Sequence, residues 1–399
     1  MKKYISIGNF RNSIVNILLL IGLRTMKNVD DKRNLVMVQV VWRHGDRVPT
    51  KSYPNDIYKE EDWEVPYGTL TKSGICNQEK LGKNLRKIYI ESSRFISDKY
   101  DPDEIQVRST KKNRTIESAY ANLRGFFNIE SSQNIPILTD FFGIDDEWIK
   151  WKACPRLNEV VQNARLSVEP KVLQENKDFV DMLKEKTGYT NMNFSIIVRM
   201  HDILYTQKII KGSLPKWTEN DLYEKLEKLS FEIYRLYGGA SAFGKPENLD
   251  IMKLHEGPLL KTMLQYFDKK EEQLKKNLIN PKFRLLSGEI TLPDKLKYIA
   301  YSAHDFTIAG LFFLMGIDDF LVNEELRVDY TATLFYELYK YNDSYEIKIL
   351  FSRKGAENII DITDRVIGCK GSKKCLYSDF KNGMKDRIPS DIKSECGYQ

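Results

Sequence analysis

The stretch Asn34-Leu35-Val36-Met37-Val38-Gln39-Val40-Val41-Trp42, followed at once by Arg43-His44-Gly45-Asp46-Arg47, decides how this chain is read. Its first part is a nearly continuous apolar run, bounded beyond by Gly45 and Pro49. Such a run predicts a strand covered on both faces, as in a parallel sheet with helices on either side. The strand ends abruptly in charged and reactive side chains. Two further runs end the same way. Glu104 to Arg108 leads into Ser109-Thr110, and Lys297 to Ala303 leads into His304-Asp305. In open α/β sheets, ligands bind beyond the carboxyl ends of the strands. If the three strands are parallel neighbours, Arg43, His44, Arg47, Arg108, His304 and Asp305 converge on one pocket.

Helices are expected between the strands. One follows Gly68-Thr69-Leu70-Thr71 with Leu81, Leu85 and Ile88 on one face. Others run from about Lys111 to Phe126 and from about Thr307 to Met315. Thr333–Tyr339 and Tyr345–Phe351, around Tyr341-Asn342-Asp343, read as a hairpin. From about 144 to 255 the pattern is helical. Its clearest member is Asp221 to Tyr237, where Leu222, Leu226, Leu229, Ile233 and Leu236 share a stripe, Thr218 with Asp221 resembles a capping box, and Gly238-Gly239 ends the helix. The expected fold class is α/β: a mostly parallel sheet core flanked by helices (33–143 and 256–399) with an inserted α-helical cap domain (144–255).

Three guanidiniums suit a compact dianion, because their planar forks match phosphate oxygens. They also stabilise charge on a phosphoryl group in flight. A neutral imidazole among them is a credible nucleophile towards phosphorus, and a carboxylic acid can protonate the departing alkoxide. Metal-ligand spacing is lacking, so no metal and no cofactor is expected. Short motifs need their context: His201-Asp202 is a second His-Asp pair, but it lies within an apolar helical pattern and reads as structural. His255, before Gly257-Pro258, receives the same reading.

The 399-residue chain carries a formal net charge of +6, with 42% hydrophobic and 30% charged residues. A small, dispersed positive excess suits an anionic substrate and argues against nucleic acid as a partner. Lys2, Lys3 and Arg11 precede an apolar run from Ile14 to Leu23, which reads as a signal-peptide core within residues 1–25. No stable membrane span is expected unless that segment is retained as an anchor. Five cysteines suit an oxidising compartment. Cys369 and Cys375 flank a short loop that a local bridge would close, Cys154 and Cys396 could tie the C-terminal tail to the body, and Cys76 is left over; five reduced thiols is the alternative. Asn113, Asn193 and Asn342 begin N-x-S/T triplets, candidate glycosylation sites on a secreted or lysosomal protein.

With these residues in view, Arg43-His44-Gly45-Asp46-Arg47-Val48-Pro49 resembles the signature of the histidine acid phosphatases, closer to the lysosomal and prostatic branch than to phytases. Leu70-Thr71-Lys72-Ser73-Gly74 through Leu81-Gly82 resembles that family's next helix. Val107-Arg108-Ser109-Thr110 with Arg114-Thr115 resembles its third phosphate-binding arginine segment, and Tyr301-Ser302-Ala303-His304-Asp305 its second signature. The resemblance implies that His44 is the nucleophile and Asp305 the proton donor, with Arg43, Arg47, Arg108 and His304 binding phosphate. It also implies an α-helical cap, a homodimer, no cofactor, and Cys154–Cys396 and Cys369–Cys375 disulfides. Two departures stand out. Thr206 and Thr333 occupy the positions of a third family disulfide, and Phe306 follows the His-Asp pair where the family usually carries a small hydroxyl residue.

The expected function is hydrolysis of phosphate monoesters through a phosphohistidine, with an acidic optimum. Surrounding arginines lower the pKa of Asp305 while a bound phosphate dianion raises it. Rival readings are a same-fold phosphatase specialised for inositol or lysophospholipid phosphates, and a secreted, non-catalytic relative that binds phosphorylated ligands.

Overall fold

The computed structural model describes residues 33–139, 154–279, 293–317 and 327–398. The N-terminal apolar segment and the first residues of the expected cap lie outside them. In chain order the strands are β1 (Asn34–Arg43), β2 (Ile105–Ser109), β3 (Ile137–Leu138), β4 (Tyr298–Ala303), β5 (Thr333–Tyr341), β6 (Ser344–Ser352), β7 (Ile360–Asp361) and β8 (Cys375–Leu376). They form one sheet in the order β3-β2-β4-β1-β5-β6-β7, with β8 on β6. Strands β3, β2, β4 and β1 are parallel, and β5 to β8 continue antiparallel. The three strands that end in reactive residues are therefore parallel neighbours, with β4 in the middle. Register aligns Arg43 with Ala303 and Arg108 with Tyr301, so all three ends reach one edge.

Alternation along these strands supplies both flanking cores. Val38, Val40, Trp42, Val107 and Tyr298 face one layer, built from α1 (Lys72–Arg86) and α2 (Asn113–Phe127). The helical side is α3 (Pro155–Glu175), α4 (Lys177–Thr187), α5 (Phe194–Lys211), α6 (Leu222–Gly238) and α7 (Leu249–His255). Their apolar stripes make a core of their own, which Phe306 and Cys396 join. Met37, Val41, Ile299 and Tyr301 face the opposite layer of the sheet, built from α8 (Gly257–Ile279) and α9 (Asp305–Met315). The tail adds α10 (Tyr377–Met384) and α11 (Ile392–Glu395).

Two local details depart from expectation. Helix α6 begins without a capping box: Asp221 takes a left-handed φ of 62° and makes no side-chain cap, while the Thr218 hydroxyl donates to the Pro215 carbonyl instead. The hydroxyl is used by the turn that precedes the helix. The hairpin is tighter than expected, with β5 running to Tyr341 and Asn342 at φ 51°, a value asparagine tolerates. Disulfides join Cys154 to Cys396 and Cys369 to Cys375, and Cys76 is unpaired and exposed. Thr206 and Thr333 are buried and hydrogen-bonded to the carbonyls of Asp202 and Thr331.

Candidate active site

The floor of the site is the turn after β1. The His44 amide donates to the Ala303 carbonyl at 3.0 Å, which continues the β1–β4 pairing one residue past the strand. The Gly45 amide donates to Ser118 Oγ (3.1 Å) on α2, and Gln78 of α1 donates to the Arg43 carbonyl (2.8 Å). Thr71 caps α1 by accepting from the Gly74 amide at 2.9 Å. The glycine at 45 serves this packing: a Cβ there would lie 2.3 Å from the Gly74 carbonyl oxygen, and one on Gly74 would lie 2.1 Å from that of Asp46. Only two glycines let the loop and the helix start touch backbone to backbone.

His44 is buried, and its Nδ1 lies 2.8 Å from the Gly45 carbonyl. A carbonyl only accepts, so Nδ1 carries the proton and Nε2 keeps its lone pair. Burial, then the positive fields of Arg114, Arg43, His304 and Arg47, holds the ring well below the ordinary histidine range. These surroundings favour the neutral ring, the state a nucleophile requires. His304 lies 5.5 Å away, ring centre to ring centre. Arg114 Nη2 approaches its Nδ1 at 3.4 Å and can only donate, which leaves the His304 proton on Nε2, 3.0 Å from Thr110 Oγ1.

Asp305 opens α9, one residue beyond His304. Its Oδ2 lies 3.0 Å from Arg43 Nη2 and 3.3 Å from Arg327 Nη2; its Oδ1 accepts from the Tyr234 hydroxyl (2.9 Å) and the Phe306 amide (2.8 Å). Burial alone would push its pKa up. Arg43, Arg327 and Arg47, with the Tyr234 hydroxyl, pull harder and leave it well below the usual carboxylate range. Among these partners the opposing effects weighed from sequence resolve downward, and Asp305 is ionised.

A second carboxylate completes the charge pattern. Asp202 on α5 receives Arg47 through both oxygens at 3.0 Å each and Arg327 at 2.8 Å. Burial opposes its ionisation, but Arg47 and Arg327 outweigh it and hold it low. Arg43, Arg47 and Arg327 share two carboxylates, and Arg114 adds a further cation, so the site carries net positive charge. Arg43 also lies over the Tyr330 ring (3.9 Å) and Arg327 over Tyr205 (4.0 Å).

Arg43, Arg47, His44, His304 and Asp305 meet here. Arg108 is placed differently: its Nη2 donates to the Tyr266 hydroxyl on α8 at 2.9 Å. Being paired with Tyr301, it follows that residue to the sheet face covered by α8. The cation that the same segment sends to His304 and the cavity wall is Arg114, on the first turn of α2. Its signal in the sequence is its place, with Thr115, in the segment that resembles the family's third phosphate-binding arginine segment. Tyr234 and Arg327 carry no sequence signal because each is a lone polar residue in a helix or loop, and Asp202 appears only in the His201-Asp202 pair, which reads as structural. His201, read as structural, is buried with Nε2 3.5 Å from Glu227 and also lines the cavity. His255, read as structural, lines the cavity beside Phe306. Asn113 and Asn342 are exposed, while Asn193 caps α5 through its side-chain oxygen.

Above the floor, Asp305, Arg47 and Arg114 border a cavity of about 560 Å³ whose far wall comes from α5 and α6. Among proteins of known sequence, rat prostatic acid phosphatase is 31% identical over 95% of this chain and 93% of its own length. Human lysosomal acid phosphatase is 29% identical over 98% of this chain and 86% of its own. The phytase of Citrobacter braakii shares the fold at a TM-score of 0.59 and 15% identity, covering 92% of this chain and all of that one. Residues 34–352 match the family described as the histidine phosphatase superfamily (branch 2), and the chain belongs to that family.

Proposed function

We propose that this acid phosphatase hydrolyses phosphate monoesters through a phosphohistidine on Nε2 of His44, with Asp305 handling the proton. The observation that carries the reading is the His44 tautomer: the Gly45 carbonyl fixes hydrogen on Nδ1, and burial among cations keeps Nε2 unprotonated. Arg43, Arg47, Arg114 and His304 neutralise the phosphoryl oxygens. Nε2 forms the N–P bond as the ester P–O bond breaks, and the departing oxygen takes a proton from Asp305. Water then attacks the phosphohistidine, gives a proton back to Asp305, and releases inorganic phosphate and the neutral ring.

Since Arg43, Arg327 and Arg47 hold Asp305 ionised, the proton it donates arrives with the substrate. A phosphate monoester loses its second proton near pH 6, about the value for phosphoserine. Below that pH the monoanion brings one proton in, and the phosphate charge beside Asp305 raises the carboxyl's affinity for it. An acidic optimum follows from the substrate's proton rather than from a free carboxylic acid waiting in the pocket. The names of the relatives, with two disulfides, support a place in the secretory pathway.

The test is acid-quench trapping of a phosphoenzyme from a radiolabelled aryl phosphate at about pH 5 with EDTA present. Label on His44, absent in His44→Ala together with turnover, is the expected result. Equal turnover by the two proteins overturns the assignment.

A further inference from the structure

Phe306 follows the proton donor directly and lines the cavity. Two rings hold it edge to face: Tyr234 at 4.5 Å and 86°, and His255 at 4.5 Å and 69°. The same residues grip Asp305, since the Phe306 amide and the Tyr234 hydroxyl both donate to Oδ1. The aromatic cluster and Asp305 are therefore joined by direct contacts. Phe231 and Tyr237 extend the apolar wall further into the cavity.

This placement has a consequence for substrate choice. An ester oxygen that takes its proton from Asp305 must lie at that carboxylate, so the group attached to the oxygen lies against Phe306. A sugar or cyclitol there would give up water against the Phe306 ring, which offers it no hydrogen-bond partner. An aromatic group would replace water with apolar surface and edge-to-face contact. A cavity of about 560 Å³ accepts such a group.

We propose that Phe306, framed by Tyr234 and His255, is a specificity-determining residue that selects aromatic leaving groups, so that aryl phosphates are preferred to monoesters of small polar alcohols and to polyphosphorylated cyclitols. The proposal rests on Asp305 acting at the leaving-group oxygen, as in the function proposed above.

Binding of non-hydrolysable phosphonates by the full chain tests it apart from turnover. Wild type is expected to bind benzylphosphonate about tenfold more tightly than methylphosphonate, the scale of apolar pocket selectivity. Phe306→Thr is expected to bring that ratio to within about threefold by removing the ring's contact, while methylphosphonate affinity is retained. Phe306→Leu keeps most of the volume without the ring and covers the case in which the threonine variant fails to fold. In steady state, 2-naphthyl phosphate should exceed glycerol 2-phosphate in kcat/KM, with the loss in Phe306→Leu appearing mainly in KM for the aryl ester. Equal binding of the two phosphonates by wild type overturns the proposal. So does a parallel loss of both in the variants, or a higher kcat/KM for myo-inositol hexakisphosphate than for the aryl ester. A benzylphosphonate preference without turnover of any ester would overturn the reaction assigned to His44 and leave the aromatic subsite standing.

Discussion

At the sheet edge, Arg43-His44 and His304-Asp305 arrive as adjacent pairs, whereas the helical side delivers Asp202 and Tyr234 singly and a loop adds Arg327. The edge residues are aimed by strand ends whose register and burial leave them little freedom. The helical residues depend on packing between layers, with Asp202 and Arg327 bridging from α5 to the loop before β5. The edge holds the groups assigned to chemistry. The helical side sets their charge state and what may approach them. Asp305 belongs to the first group by position and to the second by its partners, which is why its proton affinity follows from tertiary contacts.

Substitutions on the two sides should separate these roles. The largest effect is expected at the edge. Asp305→Asn should lower kcat by about 10²–10⁴-fold, with a smaller loss for a 4-nitrophenyl ester, whose leaving group needs little proton donation. Equal losses for 4-nitrophenyl and alkyl esters would remove Asp305 from the protonation step. On the helical side, Asp202→Ala strips a partner from both Arg47 and Arg327. It should destabilise the fold by about 3 kcal/mol, the low end for a broken buried pair because Asp202 keeps some exposure. Urea unfolding measures this, and an unchanged midpoint would show that the arginines find other partners.

Protonation provides the next comparison. His44 at the edge and His201 on the helical side are both held neutral by burial. Their folded pKa values lie below the unfolded value of about 6.5, so each contributes stability above that pH and loses it as pH falls towards the folded value. Asp202 and Asp305, also depressed, keep their contribution until far lower pH. The melting temperature should therefore decline between about pH 7 and pH 5, and His44→Asn should flatten that decline. A melting temperature that rises over this interval would contradict neutral burial of the rings. The smallest effect is expected at the loop–helix contact under His44. Thr71→Ala removes the cap of α1 and should cost about 1 kcal/mol, readable by thermal unfolding.

Much of the edge was legible from residues 34–47, 104–110 and 297–305, because strands covered on both faces leave an unmistakable apolar run and their ends must carry the polar residues. Arg108 marks the limit of that logic. A strand-end arginine can point to either face, and pairing with Tyr301 sends this one towards α8, while Arg114 on the next helix turns to the site. The expected capping box at Thr218 and Asp221 failed for a related reason: the spacing was right, but the hydroxyl serves the turn before the helix. Asp202 was visible only as part of a second His-Asp pair in an apolar helix, where nothing local distinguishes an ion-pair partner from a solvated residue.

The sequence by itself determined the parallel strands, their reactive ends and the family, since all of these reside in contiguous stretches with local periodicity. Only the tertiary structure decided the tautomer of His44, the ionised state of Asp305, the placement of Arg114 beside His304 and of Arg108 beside Tyr266, and the aromatic frame around Phe306. Each depends on distances between segments separated by many residues, and electrostatic and ring contacts act through space without leaving a trace in the order of the chain.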